Sequence, residues 1–119
     1  MAQGLLTGRF GPDHTFKNGD IRAKNKLFQP DTYARVQEAL SKLRPLAEQK
    51  GVTLGQLALS WVISHPGTCA IAGARNADQS IKNAGAGTIS LSKDELSQID
   101  EIGRGVTDSL DEDPVMWDL

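Results

Sequence analysis

Two stretches of this chain carry residues suited to holding an anion. In the first, Gly73-Ala74-Arg75-Asn76 follows a short apolar run, Cys69 to Ala72, and precedes a helical pattern. The run reads as a strand, with Asn76 as N-cap of the helix and Asp78-Gln79 in its first turn. N–H groups at a helix start lack intrahelical partners, and the helix dipole favours negative charge there. Gly73 lets the backbone approach a phosphate, and Arg75 supplies a planar guanidinium fork. The second stretch is MAQGLLTGRFG, dense in glycine at Gly4, Gly8 and Gly11. Such density belongs to a loop. It is either a flexible N-terminal segment or a phosphate-approaching loop with Arg9 as its cation.

Groups able to move protons are few. Tyr33 opens a helix, His14 lies in a polar stretch and His65 stands at a helix end. A general base needs an orienting partner, and none lies near His65 in sequence. The single cysteine, Cys69, excludes an internal disulfide and a cysteine-based zinc site. No catalytic residue and no metal ligand is assigned.

The elements that must position the two loops follow from periodicity. Residues 12–30 are polar and irregular, with Arg22, Lys24 and Lys26 as solvated charges. A helix is expected from Pro30-Asp31, with Asp31 as N-cap and Val36, Ala39, Leu40, Leu43, Leu46 and Ala47 on one face. Pro45 should kink or divide it, and Lys50-Gly51 should end it. Thr53-Leu54-Gly55-Gln56 has capping-box spacing and opens an apolar helix that ends at His65-Pro66-Gly67. Ser92-Lys93-Asp94-Glu95 is a second capping box, opening a helix striped by Leu96, Ile99 and Ile102 and ended by Gly103 and Gly105. The acidic tail, 108–119, carries Trp117, an apolar residue that should dock on the fold or on another subunit.

Composition narrows the class. A length of 119 residues suits one domain or part of one. Hydrophobic residues make up 39%, low for a domain that closes its own core. A net charge of −2 argues against a nucleic-acid or membrane-surface binder. No apolar run is long enough to span a bilayer, and the N-terminus lacks a signal-peptide core, so a cytoplasmic location is expected. A strand set between helices implies an α/β layer with parallel strands, yet one strand cannot form a sheet buried on both faces. Part of the sheet is therefore expected to be missing.

The phrase GARNADQSIKNAGA resembles the final cofactor-binding loop and helix of the aldo-keto reductase family. MAQGLLTGRF is similar to that family's preceding cofactor loop, and TLGQLALSWVISHPG to the helix between the two. GVTDSLDEDPVMWDL resembles the ending of a bacterial-type branch. The resemblance implies an α/β fold, the C-terminal part of a (β/α)8 TIM barrel: about the last two βα units, a C-terminal helix and the tail, incomplete on its own. Residues 1–119 would form one partial domain, with Met1 standing where the preceding strand ends.

The implied cofactor is NADP(H). Gly4 and Leu6 would sit beside its pyrophosphate, with Thr7 and Arg9 as polar and cationic contacts. Gly73 and Ala74 would line the adenosine, Arg75 would face the 2′-phosphate, and Gln79 and Asn83 would hydrogen-bond the adenine end. Each has a plainer alternative: Arg75 a solvated charge, Gln79 a helix cap, Asn83 an exposed helix residue. Lys82 departs from the acid that relatives often carry there. The family's catalytic Asp, Tyr, Lys and His lie on earlier strands, outside this chain. The implied function is the NADP(H)-binding segment of an enzyme that reduces aldehydes and ketones by hydride transfer. The alternative is a non-catalytic cofactor-binding or split-barrel partner subunit. Implied partners are a small carbonyl substrate, an N-terminal barrel fragment, or a second copy.

Overall fold

The computed structural model describes residues 1–117. Four α-helices carry the fold: α1 (Pro30–Gln49), α2 (Leu54–Ile63), α3 (Ala77–Gly85) and α4 (Lys93–Thr107). Short 3-10 turns occupy Ala2–Thr7, Ile21–Lys24, Lys26–Phe28 and Ala86–Thr88. The N-terminal stretch is thus a compact turn, not a flexible segment.

The helix starts follow local chemistry. In both capping boxes the N-cap hydroxyl accepts from the N3 amide, and the N3 side chain accepts from the N-cap amide: Thr53 with Gln56 for α2, Ser92 with Glu95 for α4. Asn76 Oδ1 accepts from the Gln79 amide at 2.9 Å and starts α3. For α1 the N-cap is Gln29 rather than Asp31. Pro30 occupies the first turn, where its missing N–H is no loss and its fixed φ suits the helix.

Neither α1 nor α4 is divided where the sequence suggests an interruption. The α1 helix runs as one element through Pro45, and α4 runs through Gly103 and Gly105 to Thr107. Both are interior sites where local propensity opposes a helix whose apolar face is packed. Helix α1 packs along α4, and α2 touches α1, α3 and the first 3-10 turn. The core gathers Leu5, Phe10, Tyr33, Val36, Leu40, Leu46, Leu54, Leu57, Ile99 and Val106. Lys50 joins the end of α1 to the start of α4, with Nζ 2.9 Å from Glu95 Oε2 and from the Ser90 carbonyl.

The strand expected at Cys69 to Ala72 does not form, and no β-strand occurs among the described residues. None of the amides from Cys69 to Ala72 donates to another backbone group. A strand is a pairing and requires a neighbour; here Ile71 is 98% exposed. The parallel sheet of the expected α/β layer is likewise absent among the described residues. The reading of Arg22 and Lys26 as solvated charges is also overturned, since each is paired: Arg22 with Asp20, Lys26 with Asp111 and Asp113. Asp111 and Asp113 lie 85 and 87 positions from Lys26, far outside the window that helical periodicity scans. Trp117 docks on this chain, bridging antiparallel to Asn25. No described helix is long and apolar enough to cross a membrane.

Candidate functional site

The 3-10 turn at Ala2–Thr7 begins with three successive left-handed residues, Ala2 (φ 46), Gln3 (φ 55) and Gly4 (φ 90). The conformation costs nothing at Gly4 but is unfavourable at Ala2 and Gln3, where a Cβ crowds the following carbonyl. Thr7 Oγ1 donates to the Gly4 carbonyl at 2.5 Å, and buried Leu5 pins the turn to the core. The turn closes at Gly8 (φ 68) and presents Arg9, whose guanidinium lies 4.8 Å from the Phe10 ring centroid.

This turn forms one wall of an open cleft of about 700 Å3. Gly4, Thr7 and Arg9 line one side, and Ala72, Gly73, Ala74, Arg75 and Gln79 line the other. Seven of the nine expected site residues therefore face one space, although some 60 positions separate the two loops. Leu6 lies behind the cleft, packed on the core. Asn83 lies one helical turn below, its Nδ2 3.3 Å from the Gly73 carbonyl.

The start of α3 is partly satisfied from within. Gln79 Oε1 accepts from the Arg75 amide at 2.8 Å, while the Gln79 amide is capped by Asn76. Gln79 and Asn83 thus brace the 73–75 loop in this conformation. Gln79 acts as a cap, but to Arg75 rather than Asn76.

A third wall was not anticipated: Asp20, Ile21 and Arg22, with Gln3 beside them. Asp20 caps the turn at Ile21–Lys24 by accepting from the Arg22 amide at 3.0 Å, and its carboxylate pairs with the Arg22 guanidinium at 2.5 Å. The guanidinium lies 4.7 Å from the Phe16 centroid and 5.2 Å from that of Phe10. Hydrogen bonds from Arg22 hold the Asp20 carboxyl down to about 2. The Asp-x-Arg spacing within a polar stretch was the only sequence signal for this wall.

The charge balance of the cleft follows. Arg22 is neutralised by Asp20, whereas Arg9 and Arg75 have no ion-pair partner among the described residues. Two unpaired guanidinium groups across an open cleft suit a ligand with separated anionic groups. The donor set therefore fits a phosphorylated dinucleotide, as does the volume.

The proton-bearing side chains are engaged elsewhere. The Tyr33 hydroxyl donates to the Gly11 carbonyl at 2.8 Å, and burial pushes its phenol up. His14 packs against Phe10 and Phe16, with centroids 4.6 and 4.8 Å apart. His65 Nδ1 sits 2.8 Å from the Trp61 carbonyl at the end of α2. None of the three lines the cleft.

Known proteins share this arrangement of sequence. The profile of the Aldo/keto reductase family matches residues 1–104. The chain belongs to the aldo/keto reductase family. An uncharacterised oxidoreductase of Mycobacterium tuberculosis is 36% identical over 104 residues, covering 87% of this chain and 32% of that protein. The L-glyceraldehyde 3-phosphate reductase of Escherichia coli O157:H7 is 33% identical over 106 residues, covering 85% and 31%. The aldo-keto reductase yakc of Schizosaccharomyces pombe, whose name specifies NADP(+), is 28% identical over 102 residues, covering 85% and 30%. The chain thus spans about a third of the length of the curated relatives it matches.

Proposed function

We propose that this aldo/keto reductase chain holds the phosphate and adenosine half of an NADP(H) site in a cytoplasmic carbonyl reductase, and forms the C-terminal part of its barrel. The observation that carries the reading is the shared cleft, formed by two glycine loops some 60 positions apart with one unpaired arginine in each. The cofactor supplies the hydride when bound. The residues here bind and orient. Arg75 faces the 2′-phosphate and Arg9 the pyrophosphate; Gly4 and Gly73 let the backbone approach; Thr7 fixes the Gly4 turn; Gln79 and Asn83 hold the adenosine loop in shape. The fission-yeast relative's NADP(+) name supports the choice of cofactor. Proton transfer to the carbonyl oxygen is left to the family's Asp, Tyr, Lys and His on earlier strands, so this chain alone does not turn over an aldehyde.

The test is calorimetric titration of the chain with 2′,5′-ADP and with 5′-AMP. Saturable binding of 2′,5′-ADP is expected, with Arg75→Ala weakening it roughly ten-fold, the scale of one charge-assisted hydrogen bond. 5′-AMP should bind the same to both proteins. Absence of binding, or equal affinity of Arg75→Ala, rejects the reading.

A second reading, a non-catalytic split-barrel partner, draws on the uncovered apolar residues Ile71 and Ile81, 98% and 69% exposed. A 1:1 complex with a separately expressed N-terminal barrel fragment, without reductase activity, would favour it.

A further inference from the structure

The acidic tail is tied to the third wall of the cleft through Lys26. Its Nζ lies 2.6 Å from Asp111 Oδ1 and 3.7 Å from Asp113 Oδ2, and donates to the Asp113 carbonyl at 3.2 Å. Its backbone amide donates to the Met116 carbonyl at 2.8 Å, beside the antiparallel bridge from Asn25 to Trp117. The same segment continues into the cleft. The Asn25 amide donates to the Arg22 carbonyl at 3.1 Å, while buried Asn25 caps the next turn through the Leu27 amide at 2.9 Å. Arg22 is held in turn by Asp20, Phe10 and Phe16. An unbroken line of direct contacts therefore joins the tail to a guanidinium lining the cleft.

The wall has open space on both faces. Asp20, Ile21 and Arg22 line the cleft, whereas Ala23, Lys24 and Gln29 line a second cavity of about 670 Å3 beneath Trp117 and the tail. On that second face Lys26 and Asn25 tie the wall to the tail, while Gln29 Nε2 donates to the Ala23 carbonyl at 2.9 Å and holds it to the start of α1. The Lys26 ammonium and the Asp111 carboxylate each stabilise the other's charge, which raises the first pKa and lowers the second.

We infer that Lys26 is a positioning residue: through Asp111 and Asp113 it straps the tail to the 20–29 wall and sets where Asp20, Ile21 and Arg22 stand toward a bound dinucleotide phosphate. The inference rests on the cofactor reading above. Both acids are well exposed, with side chains 64% and 60% accessible, so the strap is weak and opens with salt or charge reversal.

The test compares the wild-type chain, Lys26→Glu, and the reversed pairing Lys26→Glu with Asp111→Lys and Asp113→Lys. Amide hydrogen exchange is read at Arg22 and Asn25, and affinity for 2′,5′-ADP by calorimetry. Lys26→Glu should speed exchange at both amides and weaken 2′,5′-ADP about five-fold, the upper range for an exposed pair. The reversed pairing should restore both, with α2 amides equally protected in all three proteins. Unchanged exchange at Arg22 and Asn25 in Lys26→Glu, or a loss that the reversed pairing fails to restore, overturns the strap. If the wild-type chain takes up no 2′,5′-ADP, the cofactor reading falls, and the exchange arm alone decides the strap.

Discussion

At the scale of single residues, the cleft depends on backbone geometry as much as on charge. Gly8 adopts φ 68, and a Cβ there would stand 2.7 Å from Leu54 Cδ1 and 3.1 Å from Arg44 Nη2. Both the left-handed backbone and the close approach penalise any side chain. Gly8→Ala should lower stability by about 2 kcal/mol, within the range for a left-handed L-residue combined with overpacking. A urea-unfolding midpoint equal to wild type would refute this. Asp20 provides a pH-dependent readout. Its folded pKa of about 2 lies below the ordinary 3.8, so the ionised form favours the folded state. That contribution is complete above about pH 4 and is lost as pH falls toward 2. The stability gap between wild type and Asp20→Asn should therefore be widest near neutrality and close between pH 4 and 2. A gap independent of pH would show that the Arg22 pair contributes nothing.

At the scale of elements, short-range chemistry sets the starts of α2, α3 and α4. The capping box of α4 has an added function, because Glu95 caps the Ser92 amide and also meets Lys50 from α1. Ser92→Ala should cost about 1 kcal/mol, the usual scale of an N-cap loss. Chemical denaturation checks the size, and an unchanged midpoint would mean that Lys50 and Glu95 hold the helix start unaided. These starts were legible because each is decided by residues three apart. The continuity of α1 through Pro45 and of α4 through Gly103 and Gly105 was not legible. There the local signals oppose the helix, and packing of the α1 and α4 faces outweighs them.

At the scale of the whole molecule, the chain closes a core around Leu5, Leu40 and Leu57 but leaves the 69–72 segment and α3 largely uncovered. Ile71, Ile81 and the groove formed by Leu59, Ile63 and Ala84 make up this open side. Exposed apolar surface and unpaired backbone together favour association. The isolated chain should self-associate with rising concentration, and Ile71→Glu should shift it toward monomer in sedimentation velocity. A wild-type chain that stays monomeric at every concentration would contradict this.

The chain's own order of residues determined its family, the starts of α2, α3 and α4 and the membership of its two glycine loops. Those features are encoded in motifs of a few adjacent residues: GARN before α3, GLLTGRF at the first turn, and the Thr53 and Ser92 boxes. Three-dimensional packing decided the rest. It set Arg9 and Arg75 on one cleft, turned Gln79 and Asn83 inward to brace the Gly73 loop, and made a third wall of Asp20 and Arg22. It also paired Lys26 with acids 85 and 87 positions away and left Cys69 to Ala72 without a strand partner. The physical reason is range. A cap or a tight turn is satisfied within a few residues, whereas a cleft, an ion pair between distant segments and a β-strand each require a neighbour that only the folded chain brings close.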